Sequence, residues 1–107
     1  MDDAETAVAE ARRLFNEEEF WHVHEALEVV WLKRQGDEKA LLQGLIIGAA
    51  SLVHWQKQEW DVAWRMMADA VRRLEGKQDL YHGWNVAAFR DHLRDCAARR
   101  EWRPLRV

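Results

Sequence analysis

The sequence predicts an all-α fold: a compact bundle of about five short helices with a central apolar helix. Three observations carry this expectation. Apolar residues recur at helical spacing in five successive stretches. Five glycines and one proline leave few chain breakers, which favours helices over many short strands. The stretch Ala40 to Trp55 is apolar nearly all round, as befits a helix at the centre of a bundle. With 107 residues, 49% hydrophobic and 33% charged, the chain reads as one domain spanning 1–107 with a core of its own.

The first helix is expected from about Ala4 to Leu14, with Ala7, Ala11, Leu14 and Phe15 on its inner side. Asn16, with Glu19 three residues on, has the form of an N-cap with its capping partner. A second helix then runs from about Glu17 to Arg34 and stops at Gly36. Asp37 can cap the third, from about Glu38 to Lys57, whose apolar residues include Leu41, Leu42, Leu45, Ile46, Ile47, Leu52 and Val53. The fourth, from about Glu59 to Glu75, carries Trp60, Ala63, Trp64, Met67, Ala70, Val71 and Leu74 on one stripe and ends at Gly76. After a loop around Tyr81-His82-Gly83, Asn85 can cap a fifth helix from Val86 to about Glu101. Its inner face is Val86, Phe89, Leu93, Cys96 and Ala97.

Charge and cysteine content narrow the class. A net charge of −3 lacks the basic footprint needed to neutralise phosphates, so no nucleic-acid partner is expected. Arg99, Arg100, Arg103 and Arg106 around Trp102 read as a solvated helix end, with contact to an acidic partner as the alternative. The single cysteine, Cys96, fits a reducing compartment and the inner face of the last helix. Met1 to Glu10 is acidic and unlike a signal peptide, and Gln43 and His54 interrupt the one long apolar stretch. A cytoplasmic protein without a membrane anchor is therefore expected. Ser51 lies mid-helix with nothing to make it a nucleophile, and His82 and His92 read as loop and solvated positions.

The second and third helices hold the chemistry. At 100° per residue, Phe20, Val23, Leu27 and Trp31 define the inner side of the second helix. His24 falls about 40° from the centre of that side, and Glu28 about 40° further round. An imidazole and a carboxylate are thus expected side by side at the core, where an unpaired charge costs several kcal/mol. Counting back from the turn at Gly36 puts Glu28 level with Gln43, so a buried His24–Glu28–Gln43 network follows. His54 lies about three turns beyond Gln43, nearer the level of Phe20 and Trp21. Gly44 and Gly48 share a face of the third helix with Ser51 and allow another helix to approach closely, or leave room for a ligand.

Two stretches carry a family resemblance: Phe15-Asn16-…-Phe20-Trp21-x-x-His24-Glu25-x-Leu27-Glu28-x-x-Trp31 and Leu42-Gln43-Gly44-Leu45-Ile46-x-x-Ala49-Ala50-x-x-x-His54. The sequence resembles the bacterial and archaeal "domain of unknown function 309" family over about Ala11 to Leu74. That resemblance implies a compact bundle of short helices and singles out His24, Glu25, Glu28, Trp31, Gln43, Gly44 and His54. It implies no activity. The chain departs from the family pattern at Glu18, where glycine is frequent, and at Lys57-Gln58-Glu59, where an Arg-Gly-Asn-like turn is common.

Three functional readings follow, in decreasing order of preference. The cluster of His24, Glu25, Glu28, Trp31, Gln43 and His54 is a structural hydrogen-bond network that fixes helix register. Alternatively it lines a small-molecule pocket with tryptophan walls. In the third reading His24, Glu28 and His54 ligate a divalent metal, with Glu25 as base, in a metal-dependent hydrolase-like enzyme. Against that reading stand the level of His54 and the lack of a His-Glu-x-x-His or Cys-x-x-Cys motif. Trp60 and Trp64, one turn apart, are either a core stripe, the simpler reading, or the face of a homodimer.

Overall fold

A computed structural model describes residues 3–107 of the chain. Five helices follow one another: α1 (Asp3–Asn16), α2 (Phe20–Trp31), α3 (Gly36–Gln56), α4 (Trp60–Leu74) and α5 (Val86–Arg99). Between α4 and α5 the chain makes a two-stranded antiparallel ribbon, β1 (Leu80–Tyr81) and β2 (Trp84–Asn85). The all-α expectation holds. Among the described residues, no helix is long and apolar enough to cross a membrane. The N-terminal stretch compared with a signal peptide begins at Met1 and Asp2, which lie outside the described residues.

The central position of α3 follows from its composition. It packs against both α2 and α4 and buries Leu41, Leu42, Leu45, Ile46, Ala49 and Leu52. Its two glycines permit this. A Cβ at Gly44 would stand 2.6 Å from the Leu74 side chain, and one at Gly48 would stand 2.7 Å from the Phe89 ring. The close-packing explanation therefore applies: α4 and α5 occupy the space that side chains would need. Ser51 is buried on the same helix and donates to the Gly48 carbonyl at 2.6 Å.

Helix boundaries correct several expectations. α1 continues through Asn16, so Asn16 is not the N-cap of the next helix. α2 begins only at Phe20 and ends at Trp31, shorter than the expected Glu17–Arg34. The cause is Glu18, whose φ of 60° lies in the left-handed region and breaks the helical path between the two helices. Gly36 does not close α2. It opens α3 with a φ of 67°, a conformation that costs glycine little. Asp37 sits inside the first turn of α3, where its charge meets the positive helix end, rather than at the cap. Asn85 does cap α5, accepting from the Ala88 N–H at 2.9 Å.

One end of the bundle is an aromatic cluster centred on Phe15. Its ring meets those of Phe20, Trp84 and Phe89 edge-on, with centroids 5.1, 5.6 and 5.5 Å away. Edge-to-face rings at such distances add about 0.5–1.5 kcal/mol per pair beyond their burial. The C-terminal segment completes the cluster: Arg99, Arg100, Arg103 and Arg106 are exposed, as expected of a solvated helix end, but Trp102 between them turns inward. Trp102 is buried against Phe15, Phe20 and Trp55. His92, expected in solvent, stands edge-on to Trp102 and hydrogen-bonds to the Arg103 carbonyl. Asn16 helps to hold this segment: its side-chain oxygen accepts the Val107 N–H at 2.7 Å, while Arg12 donates to a Val107 oxygen at 2.8 Å.

Candidate functional site

The residues singled out by the sequence sit on α2 and α3, and the rotation of α2 decides what each can do. The buried face of α2 is Phe20, Val23, Leu27 and Val30, with Val30 in the place expected for Trp31. That exchange turns the inner face by about 25° away from His24 and Glu28. Trp31 lies half-buried at the flank, where the Lys39 ammonium sits 4.3 Å from its ring centre. Such a cation–π contact at a partly exposed site is worth about 0.5–1 kcal/mol.

His24 and Glu28 are neighbours, as one helical turn requires, but they are not in the core. Their side chains are 30% and 46% exposed, and His24 Nδ1 lies 3.7 Å from Glu28 Oε2. That separation is too long for a hydrogen bond. Nδ1 is itself shielded from solvent and has no hydrogen-bond partner. The imidazole is held instead by Trp21, whose ring stacks on it at 5.6 Å with 16° between the planes. The expected buried network with Gln43 does not form: Gln43 is half-buried on α3, and no hydrogen bond joins it to His24 or Glu28 among the described residues.

The remaining candidates are distributed elsewhere. Glu25 is exposed and accepts from His22 Nδ1 at 3.0 Å on the outer surface of α2. His54 sits near the end of α3 and pairs with Glu59 at 2.8 Å across the turn into α4. The two histidines proposed as co-ligands thus each face a carboxylate of their own. Among the described residues, no three His, Cys, Asp or Glu side chains gather closely enough to hold a metal ion.

Sequence reasoning missed what surrounds His24. Trp21, Val29 and Leu32 are 56%, 54% and 66% exposed, and all belong to α2 or its C-terminal cap. At 100° per residue, Trp21, Glu25, Glu28 and Leu32 fall within about 60° of one another and form a ridge along the outside of the helix. The signal was present in the spacing of 21, 25, 28 and 32, which repeats at helical intervals on the side opposite the core. Trp60 likewise points outward and half exposes its ring, while Ala63, Met67, Ala70, Val71 and Leu74 form the buried stripe of α4. The expected core role of Trp60 is corrected accordingly.

A search of curated proteins finds no match to this chain. A family model described as "Domain of unknown function (DUF309)" matches residues 8–66, which is more than half of the chain and covers most of α1, all of α2 and α3 and the first half of α4. The chain, with its Trp21–His24–Glu28 surface and its glycine-packed central helix, belongs to the DUF309 family.

Proposed function

We propose that this protein is a protein-interaction module that uses the outer ridge of α2 to associate with a second copy of itself. The observation that carries the reading is the fixed, exposed Trp21, stacked on an imidazole whose own Nδ1 is left without a partner. Large aromatic side chains held in one orientation lose little conformational freedom on binding, which is why they dominate interface energetics. Leu32 and Val29 extend the apolar surface along the same helix. A purely structural role for His24 and Glu28 is less well supported, because a partly exposed imidazole–carboxylate contact at 3.7 Å contributes about 1 kcal/mol at most. A cytoplasmic location and the absence of a nucleic-acid partner accompany this reading, on the net charge of −3 and the single cysteine. Neither a bound metal nor a cofactor is part of it.

Sedimentation velocity over a concentration series tests the proposal, with Trp21→Ser/Leu32→Ser as the comparison. The wild-type chain should gain mass with concentration and the double variant should remain a monomer. Thermal melting of His24→Ala should stay close to wild type. A double variant that associates as well as the wild type would refute the role of the ridge. A large loss of stability in His24→Ala would return the cluster to scaffolding.

A further inference from the structure

On the far flank of the bundle, α4 and α5 enclose an open groove of about 480 Å³. Its floor is apolar and mostly small-chained: Trp64, Ala68, Val71, Ala97 and Ala98. Arginines stand along both rims, Arg65 and Arg72 from α4, Arg94 and Arg100 from α5 and its cap. Two of the four are committed within the chain. Arg72 donates to Asp69 at 2.8 Å, and Arg94 pairs with Glu75 and Asp91. The other two are not. Arg65 reaches only the Asp61 backbone carbonyl at 3.4 Å, and neither Arg65 nor Arg100 has a carboxylate partner among the described residues. A guanidinium presents five donors in a fixed fork suited to carboxylates, so these two arginines lack the acceptors they are built for.

The α2 ridge has the complementary composition. Between its apolar ends, Trp21 and Leu32, it carries Glu25 and Glu28, each engaged only by a histidine of its own helix. A single helix laid in the groove between two others is a recurring mode of recognition, with apolar anchors on the floor and charges on the rims. The small floor residues Ala68, Ala97 and Ala98 give such a helix room to approach.

We infer that the arginine-rimmed groove between α4 and α5 is the receptor for the α2 ridge of a second copy, with Arg65 and Arg100 taking Glu25 and Glu28. The inference rests on the self-association proposed above and names the surface that α2 meets. Because α2 packs on α1 and α3 while the groove belongs to α4 and α5, the contact joins unlike surfaces. Association of this kind runs head to tail and passes beyond the dimer unless a ring closes. It weakens as salt rises, since the charges lie at the rim.

Charge reversal on each side separately provides the test, read by sedimentation velocity on the full chain. The groove variant Arg65→Glu/Arg100→Glu and the ridge variant Glu25→Arg/Glu28→Arg should each weaken self-association at least about tenfold. Arg65, Arg100 and Glu25 are exposed and Glu28 is half-buried, and circular dichroism melts verify that each variant folds. Mixing the two variants should restore association, because each then meets a surface of opposite charge. Arg65→Ala/Arg100→Ala should weaken association less than the reversal does, and should still pair with the ridge variant, whose own groove is intact. If the groove variant associates like wild type while Trp21→Ser/Leu32→Ser does not, α2 meets some other surface. This inference then falls and the proposed function stands. A mixture that fails to recover also overturns the inference. A wild-type chain that stays monomeric at hundreds of micromolar overturns the proposed function, and the inference with it.

Discussion

The aromatic cluster around Phe15 and the outer ridge of α2 use the same kinds of side chain in opposite ways. Trp84 is wholly buried and meets Phe15 and Phe89 edge-on, whereas Trp21 is more than half exposed and lies flat on His24. The first arrangement removes a large apolar area from water and joins five chain segments: α1, α2, β2, α5 and the C-terminal segment. The second leaves its area in water and yet holds the ring in one orientation. Burial stabilises the fold, while the exposed ring is the anchor in the self-association proposed above. The two regions should therefore separate cleanly when each is damaged.

The largest effect is expected in the cluster. Trp84→Ala removes a fully buried indole from contact with Phe15 and Phe89, and should cost about 3–5 kcal/mol. Denaturant unfolding measures this as a shift in midpoint at nearly constant slope. Part of that cost is offset, because Trp84 Nε1 is a buried donor without a partner in the native state. A loss of less than about 1 kcal/mol would mean that the cluster is not the keystone described. It would also remove the contrast with Trp21.

Overpacking probes the same interior from the other direction. In Gly48→Ala the new methyl would press on the Phe89 ring at 2.7 and 2.8 Å and on Leu93 at 3.2 Å. Phe89 cannot retreat, because Phe15 and Trp84 hold it edge-on from two sides. The gain in helix propensity is about 1 kcal/mol, and overpacking of a tight core typically costs about 1–3 kcal/mol. A net loss is expected, seen as a lower melting temperature. Gly44→Ala should also cost stability, since its methyl would press on the buried Leu74 side chain at 2.6 and 2.8 Å. A stabilised Gly48→Ala would show that α5 can move away from α3.

Much of this interior was legible in the sequence, because a helix writes its buried face at a fixed spacing. Most inner residues of α4 and α5, though not Trp60, the Asn85 cap and the close approach at Gly44 and Gly48 follow from periodicity and residue type. The candidate site was less legible for a specific reason. Whether Val30 or Trp31 faces inward changes the helix rotation by a small angle, and that angle decides whether His24 and Glu28 are buried. Lys39, on another helix, lies over the Trp31 ring at the flank. No local pattern encodes such a contact. The same is true of Asn16, a convincing cap by spacing whose side chain binds the Val107 N–H instead. Strands of two residues, as in the ribbon before α5, are too short to show a period.

The connections between helices give the subtlest contrast, because they place both regions at once. Glu18 lies between Phe15 of the cluster and Trp21 of the ridge, and Gln58 lies between His54 and the exposed Trp60. Both adopt left-handed backbones, with φ of 60° and 62°, and Gln56 ties the two turns together by donating to the Glu18 carbonyl at 3.0 Å. A side chain in this conformation costs roughly 1–2 kcal/mol, and glycine relieves it at an entropic cost of up to about 1 kcal/mol. Glu18→Gly and Gln58→Gly should each raise stability by a few tenths of a kcal/mol up to about 1, and leave self-association unchanged. Unfolding curves and sedimentation of the same samples check both halves. Loss of association with gain of stability would show that the Glu18 side chain belongs to the interacting surface, extending the ridge past the start of α2. Loss of stability would mean that the turn geometry is held by the side chains themselves, and that the two regions are coupled through it.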